Sequence, residues 1–186
     1  MFTKSTRITA ALAIAASLAV SSVAFAANPM VGGAPMYESK NIVENAVNSK
    51  DHTTLVAAVK AAGLVETLMS PGPFTVFAPV NSGFEKLPAG TVETLLKPEN
   101  KGMLTKVLTA HVVSGKVSSS DLMSWVKAGG GKYNMKTVSG DALTAMIKNG
   151  HLYIFDESGG ASKITVADVN QSNGVIHVVN NVLLPK

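Results

Sequence analysis

Few side chains in this chain are equipped for chemistry. Its four histidines, His52, His111, His151 and His177, could act as general bases or metal ligands. None begins a His-Glu-x-x-His pattern, and no two stand at the i, i+4 spacing that holds zinc on one helix face. Gly129-Gly130-Gly131-Lys132 lacks the spaced leading glycine of a phosphate-binding loop, and Tyr133 stands where that loop needs Ser or Thr. A Gly-x-Ser-x-Gly elbow is absent, so no serine is presented as a nucleophile in that manner. Cysteine is absent too, which excludes disulfide scaffolds, thiolate metal sites, thiol nucleophiles and lipidation on cysteine. The 12 acidic residues fall mostly at helix starts and in loops rather than as a pair facing one cleft. These residues predict no catalytic site, no metal site and no cofactor.

Two histidines are nevertheless unusual. His111 and His177 sit inside apolar runs, Ala110-His111-Val112-Val113 and Val175-Ile176-His177-Val178-Val179. Such positions suit neutral imidazoles hydrogen-bonded to backbone at irregular junctions. The alternative is a ligand contact or a pH-sensitive element. Trp125 and Tyr133 flank the glycine stretch and read either as core or as surface contacts. His111, Trp125 and Tyr133 are therefore the candidates for an interaction surface.

The charge first needs locating. The chain has 186 residues, 46% hydrophobic and 15% charged, with a formal charge of +4. Lys4 and Arg7 precede an apolar stretch, residues 8–20, and then Ala24-Phe25-Ala26. A basic start, an apolar run and a small-x-small ending form a secretory signal, with cleavage expected after Ala26. The apolar run is short for a membrane span, which needs about 20 residues. Removing residues 1–26 lowers the formal charge from +4 to +2. No basic run interleaved with aromatics follows it in the sequence, so no nucleic-acid partner is expected. A cysteine-free exported chain suits a bacterial periplasm or cell surface.

Residues 27–39 hold two Pro and two Gly without periodicity and read as a flexible leader. Met30 and Met36 lie in it without a neighbouring His, so soft-metal binding there is not expected. Residues 40–113 are mainly helical in pattern, for instance Leu55, Val56, Val59 and Ala62 before a Gly63 stop. Within them, residues 74–78 form a strand closed by Pro79, with Phe74, Val76 and Ala78 on one face and Thr75 and Phe77 on the other. Asn81 and Thr91 are placed to cap the short helices that follow. After Gly115 the pattern turns to strands, with one helix over residues 121–127 and Asn149-Gly150 as a hairpin turn. Helices first and hairpin-linked strands after predict an α+β fold.

Two segments carry a resemblance. Residues 72–84, Gly-Pro-Phe-Thr-Val-Phe-Ala-Pro-Val-Asn-Ser-Gly-Phe, resemble the first signature box of fasciclin (FAS1) domains. Residues 173–185, Asn-Gly-Val-Ile-His-Val-Val-Asn-Asn-Val-Leu-Leu-Pro, resemble the second. Residues 108–116 between them resemble the family's Tyr-His region, with Ala110 in place of the Tyr and only His111 matching. Val80 stands where Thr or Ser is usual, and Asn180 where Asp is usual. Residues 40–186 are thus identified as a single FAS1 domain of a small secreted bacterial member.

The resemblance implies a wedge or sandwich of about seven strands with a cluster of short helices. It makes Thr75, Phe77, Ala78, Pro79, Asn81, His111, Asn173, Gly174 and His177 signature residues that determine the fold. It also implies a non-enzymatic module for adhesion, binding a protein or a surface glycan, as a monomer or weak homo-oligomer. In animal members the Tyr-His region is linked to integrin-mediated adhesion. Some members bind carotenoids, so carriage of an apolar small molecule is the alternative, with the methionines of the exported chain lining an adaptable groove.

Overall fold

The computed structural model describes residues 28–186. The expected signal segment, residues 1–26, lies outside the described residues. A two-strand hairpin comes first, β1 (Met30–Val31) and β2 (Ala34–Pro35), followed by helices α1 (Ile42–Ala46), α2 (Thr53–Ala62) and α3 (Val65–Met69). Strand β3 (Phe74–Pro79) precedes α4 (Asn81–Glu85), α5 (Thr91–Leu95) and α6 (Lys101–Thr109). Then come β4 (Val112–Ser114), α7 (Ser119–Ala128), β5 (Lys132–Lys136), β6 (Ala142–Lys148), β7 (His151–Phe155), β8 (Ala161–Gln171) and β9 (Gly174–Val179).

Local chemistry sets several boundaries. Asn41 and Ser118 each accept a hydrogen bond from the third helical residue, Glu44 and Asp121, whose carboxylates bond back to the cap N–H. Each reciprocal cap satisfies two N–H groups that a helix start otherwise leaves unpaired. The two hydrogen bonds from Ser118 hold the Asp121 carboxyl below its ordinary pKa. Gly63 ends α2 at φ 72°, a conformation that side chains with a Cβ rarely adopt. Asn149 (φ 50°) and Gly150 (φ 76°) form the β6–β7 turn, as the sequence predicts.

Seven strands form one sheet in the order β4-β3-β9-β8-β7-β6-β5. All adjacent pairs are antiparallel except β3 and β9. The sheet curls until its two edges meet: Thr137, just past β5, bridges Val113 in β4, and the Val138 N–H donates to the Val112 carbonyl at 2.8 Å. The result is nearly a barrel, plugged by Leu122 and Val126 of α7. One core fills the barrel around Phe77, Leu143, Ile154 and Leu183. A second lies outside it, where α1, α2 and α6 pack against Val76, Ala78, Ile176 and Val178. The expected alternation along β3 holds, since Phe77 faces the first core and Val76 and Ala78 face the second.

Three expectations are corrected. The described part of the expected leader 27–39, residues 28–39, is not loose in the structure. Gly32 and Gly33, both at positive φ, turn the β1–β2 hairpin, and Val31 and Met36 are buried in the helical core. The segment carries its own apolar anchors, and a glycine pair between short apolar runs is itself a hairpin signal. Asn81 does not cap its own helix. Its Oδ1 accepts from the Thr54 N–H at 3.1 Å and the Thr53 hydroxyl at 3.2 Å, so it caps the start of α2 instead. Thr91 is no cap either, because Gly90 holds that position at φ 81°.

Candidate functional site

The two signature segments meet side by side. β3 and β9 run parallel and in register, Phe74 opposite Gly174, Phe77 opposite His177 and Pro79 opposite Val179. Cores on both faces bury the pair almost completely, which is where a parallel arrangement belongs. The strands open at a close approach. A Cβ on Gly174 would lie 2.0 Å from the Phe74 carbonyl oxygen, so no other residue fits there without displacing backbone. Asn173 ties this end to the helices: its Oδ1 accepts from the Ile42 N–H at 3.1 Å, and its Nδ2 donates to the Leu68 and Ser70 carbonyls.

His177 and Thr75 hold the far side of the seam. The Thr75 hydroxyl donates to the Gly115 carbonyl at 2.7 Å and accepts from the Val117 N–H at 2.9 Å. His177 Nε2 lies 2.8 Å from the Val117 carbonyl, and its Nδ1 accepts from the Asp168 N–H at 3.2 Å. A carbonyl only accepts, so the proton sits on Nε2 and the ring is neutral. The ring also stacks on Phe77, with centroids 5.6 Å apart. Asp168 itself, at φ 56°, turns its carboxylate onto Ser119 at the start of α7.

His111 uses the opposite tautomer. Its Nδ1 donates to the Val107 carbonyl and its Nε2 accepts from the Leu183 N–H, both at 2.8 Å. Burial lowers its pKa to about 4. His52 bridges Ser49 Oγ and the Ala78 carbonyl, and burial lowers its pKa and that of His177 as well. Placement of His111 on an interaction surface is therefore corrected, since only 2% of it is exposed. It sits at the α6–β4 junction, where a helix end leaves carbonyls that an imidazole can satisfy.

Trp125 and Tyr133 do come together. Their rings lie 4.8 Å apart across α7 and β5, with Trp125 exposed and Tyr133 half-buried. An apolar cavity of about 80 Å³ lies between the hairpin, the helices and the seam, lined by Val31, Met36, Leu55 and Ile176 among others. Met36 is the single methionine among its lining residues, so this cavity is not the methionine-lined groove expected. Among the described residues, no three His, Asp or Glu side chains gather to hold a metal. No described helix is long and apolar enough to cross a membrane.

The family model of the fasciclin domain matches residues 50–185, which take in the whole seam. The chain belongs to the fasciclin domain family. This fasciclin domain is 48% identical to protein sll1483 of Synechocystis over 158 residues, spanning 84% of this chain and 79% of that protein. It is 32% identical to immunogenic protein MPB70 of Mycobacterium bovis, covering 75% of this chain and 66% of the relative. It is also 36% identical to the pig transforming growth factor-beta-induced protein ig-h3, matching 17% of that longer protein. A solved FAS1 domain pair from the insect cell adhesion molecule Fasciclin I shares the fold, with a TM-score of 0.70 at 17% identity, over 78% of this chain and 51% of that one. The α+β fold expected of the resemblance is the fold of this chain. Where this fasciclin domain departs from the usual residues, Ala110 is buried, and Asn180 Oδ1 accepts from the Lys163 N–H and the Ser162 hydroxyl.

Proposed function

We propose that this fasciclin domain is an exported, non-enzymatic binding module that engages a protein or a glycan in the periplasm or at the cell surface. One observation carries the reading. The side chains with chemical capacity at the seam, Thr75, His111, Asn173 and His177, are all spent on backbone partners that hold the fold. Work is thereby left to the outer surface, where Trp125 and Tyr133 offer an aromatic pair. The insect relative, described as a cell adhesion molecule, supports the same reading. Labelled protein comprising residues 27–186 should bind cells of the producing organism saturably, and deletion of residues 40–186 should abolish that binding. Unsaturable or absent binding would sink the proposal.

Carriage of an apolar small molecule has one observation in its favour, the wholly apolar cavity. At about 80 Å³ it is well below the roughly 150 Å³ that admits benzene in an engineered cavity. An extended pigment would need the helices to part from the seam. Protein purified from its native host that yields no pigment or lipid on extraction would eliminate carriage.

A further inference from the structure

The outward face of β5, β6, β7 and β8 carries a pattern that the sequence order hides. Register places Lys132 opposite Met146, Met146 opposite Tyr153, and Tyr153 opposite Lys163. These four residues form one row across four strands. At about 4.8 Å per strand the two lysines stand about 14 Å apart, with a thioether and a phenol ring between them. The next row, Asn134, Thr144 and Phe155, lies parallel to it, and the Thr144 hydroxyl donates to Asn134 Oδ1 at 2.9 Å. Lys136 and Lys148 flank the rows, and the Lys148 ammonium lies 4.5 Å from the Phe155 ring centroid on this face. The opposite face of the same strands is the barrel core, so these side chains all point to solvent.

No acidic residue lies within the two rows. The nearest acids are in the turns at one end, and each is engaged. Glu157 accepts from the Ala142 N–H, Asp156 from the Gly160 and Leu184 N–H groups, and Asp141 faces Lys106 at 3.8 Å. Four cations thus stand around a floor of half-buried side chains, with the carboxylates confined to that one end.

We propose that this face binds an acidic polysaccharide, one whose sugar ring lies on Tyr153 while its carboxylates meet Lys132 and Lys163. The proposal rests on the binding-module reading and names its partner class. Charge complementarity selects a polyanion. The hydroxyl and amide groups of Tyr153, Thr144 and Asn134 suit sugar hydroxyls. Met146, Tyr153 and Phe155 are half-buried rather than projecting, which disfavours insertion into a lipid surface.

The test uses immobilised polygalacturonate, its neutral methyl ester, single-stranded DNA and phosphatidylglycerol vesicles. The protein should be retained on polygalacturonate at low salt, released by added salt, and not held by the ester. Lys132→Glu with Lys163→Glu should weaken retention at least about tenfold, because it places like charge against the ligand. Lys60→Glu with Lys97→Glu, the same charge change on the helical side, should alter it less than about twofold. Matching denaturation midpoints for the two double variants exclude misfolding. Equal losses in both variants, retention on the ester, or tighter binding to DNA or vesicles would overturn the assignment. Cell binding separates this proposal from the reading beneath it. A Lys132→Glu, Lys163→Glu variant that still binds cells as the parent does refutes this face and spares the module. Failure of the parent itself to bind cells refutes the module.

Discussion

The backbone N–H of Leu183 donates to Nε2 of His111, 72 residues earlier in the chain, at 2.8 Å. The same ring donates from Nδ1 to the Val107 carbonyl, so one neutral imidazole joins the end of α6 to the C-terminal segment. Leu183 is itself fully buried in the barrel core. His111→Ala would leave an N–H and a carbonyl buried without partners and open a cavity. The expected loss is about 3 kcal/mol, readable as a lowered urea midpoint. A change below about 0.5 kcal/mol would deny the ring this role.

Acid should weaken the fold before its carboxylates titrate. In the unfolded chain a histidine takes up a proton near pH 6.5, whereas folded His111 does so only near about 4. The unfolded state therefore binds more protons between those values. Stability is full above pH 6.5 and falls as the pH drops toward 4, by about 1.4 kcal/mol per unit for His111 alone. His52 and His177 are shifted in the same direction and steepen the fall. Urea titrations at pH 7.5 and pH 5 should differ by about 2 kcal/mol or more. Equal midpoints at the two pH values would contradict the neutral, buried assignment.

Two glycine substitutions should act in opposite directions. Gly174→Ala forces a Cβ to within 2.0 Å of the Phe74 carbonyl and should cost about 3 kcal/mol or prevent folding. At Gly102, in α6, an added methyl would meet no atom within 4 Å, and the backbone there is helical. Gly102→Ala should stabilise by about 0.5–1 kcal/mol. Thermal melts of both variants decide the matter.

The N-terminal hairpin should count toward stability. Met36 is only 2% exposed, and Met36→Ala should cost about 2–3 kcal/mol. Removing residues 27–39 should cost at least as much, since Val31 leaves the core as well. An unchanged melting temperature in the shortened protein would return these residues to the status of a leader.

Asn180→Asp, which restores the usual family residue, should be tolerated. Both hydrogen bonds at this side chain use Oδ1, and a carboxylate accepts them equally well. A shift in denaturation midpoint beyond about 1 kcal/mol in either direction would point to charge effects at Lys163.

The parts that can be read from sequence are those set by neighbours along the chain. The two faces of residues 74–78 follow from strand alternation, and Asn149-Gly150 follows from the need for positive φ. The neutral, backbone-bonded state of His177 can be anticipated because an apolar run leaves an imidazole few other partners. Other features depend on partners distant in sequence. Asn81 reaches Thr54, 27 residues away, rather than its own helix. In β8 only Ile164, Thr165 and Val166 are legible, because register shifts on either side of Val166 break the alternation over the rest of the strand. The lysine row needs the register of four strands, so no reading of one segment could assemble it.

The parallel pairing of β3 with β9 has a mechanical consequence. β9 lies inside the sheet, flanked by β3 and β8. A force that slides β9 along β3 meets six registered residue pairs that resist together. They are loaded in shear, not peeled apart in turn. The strand that closes the fold is thus also placed to carry tension through it.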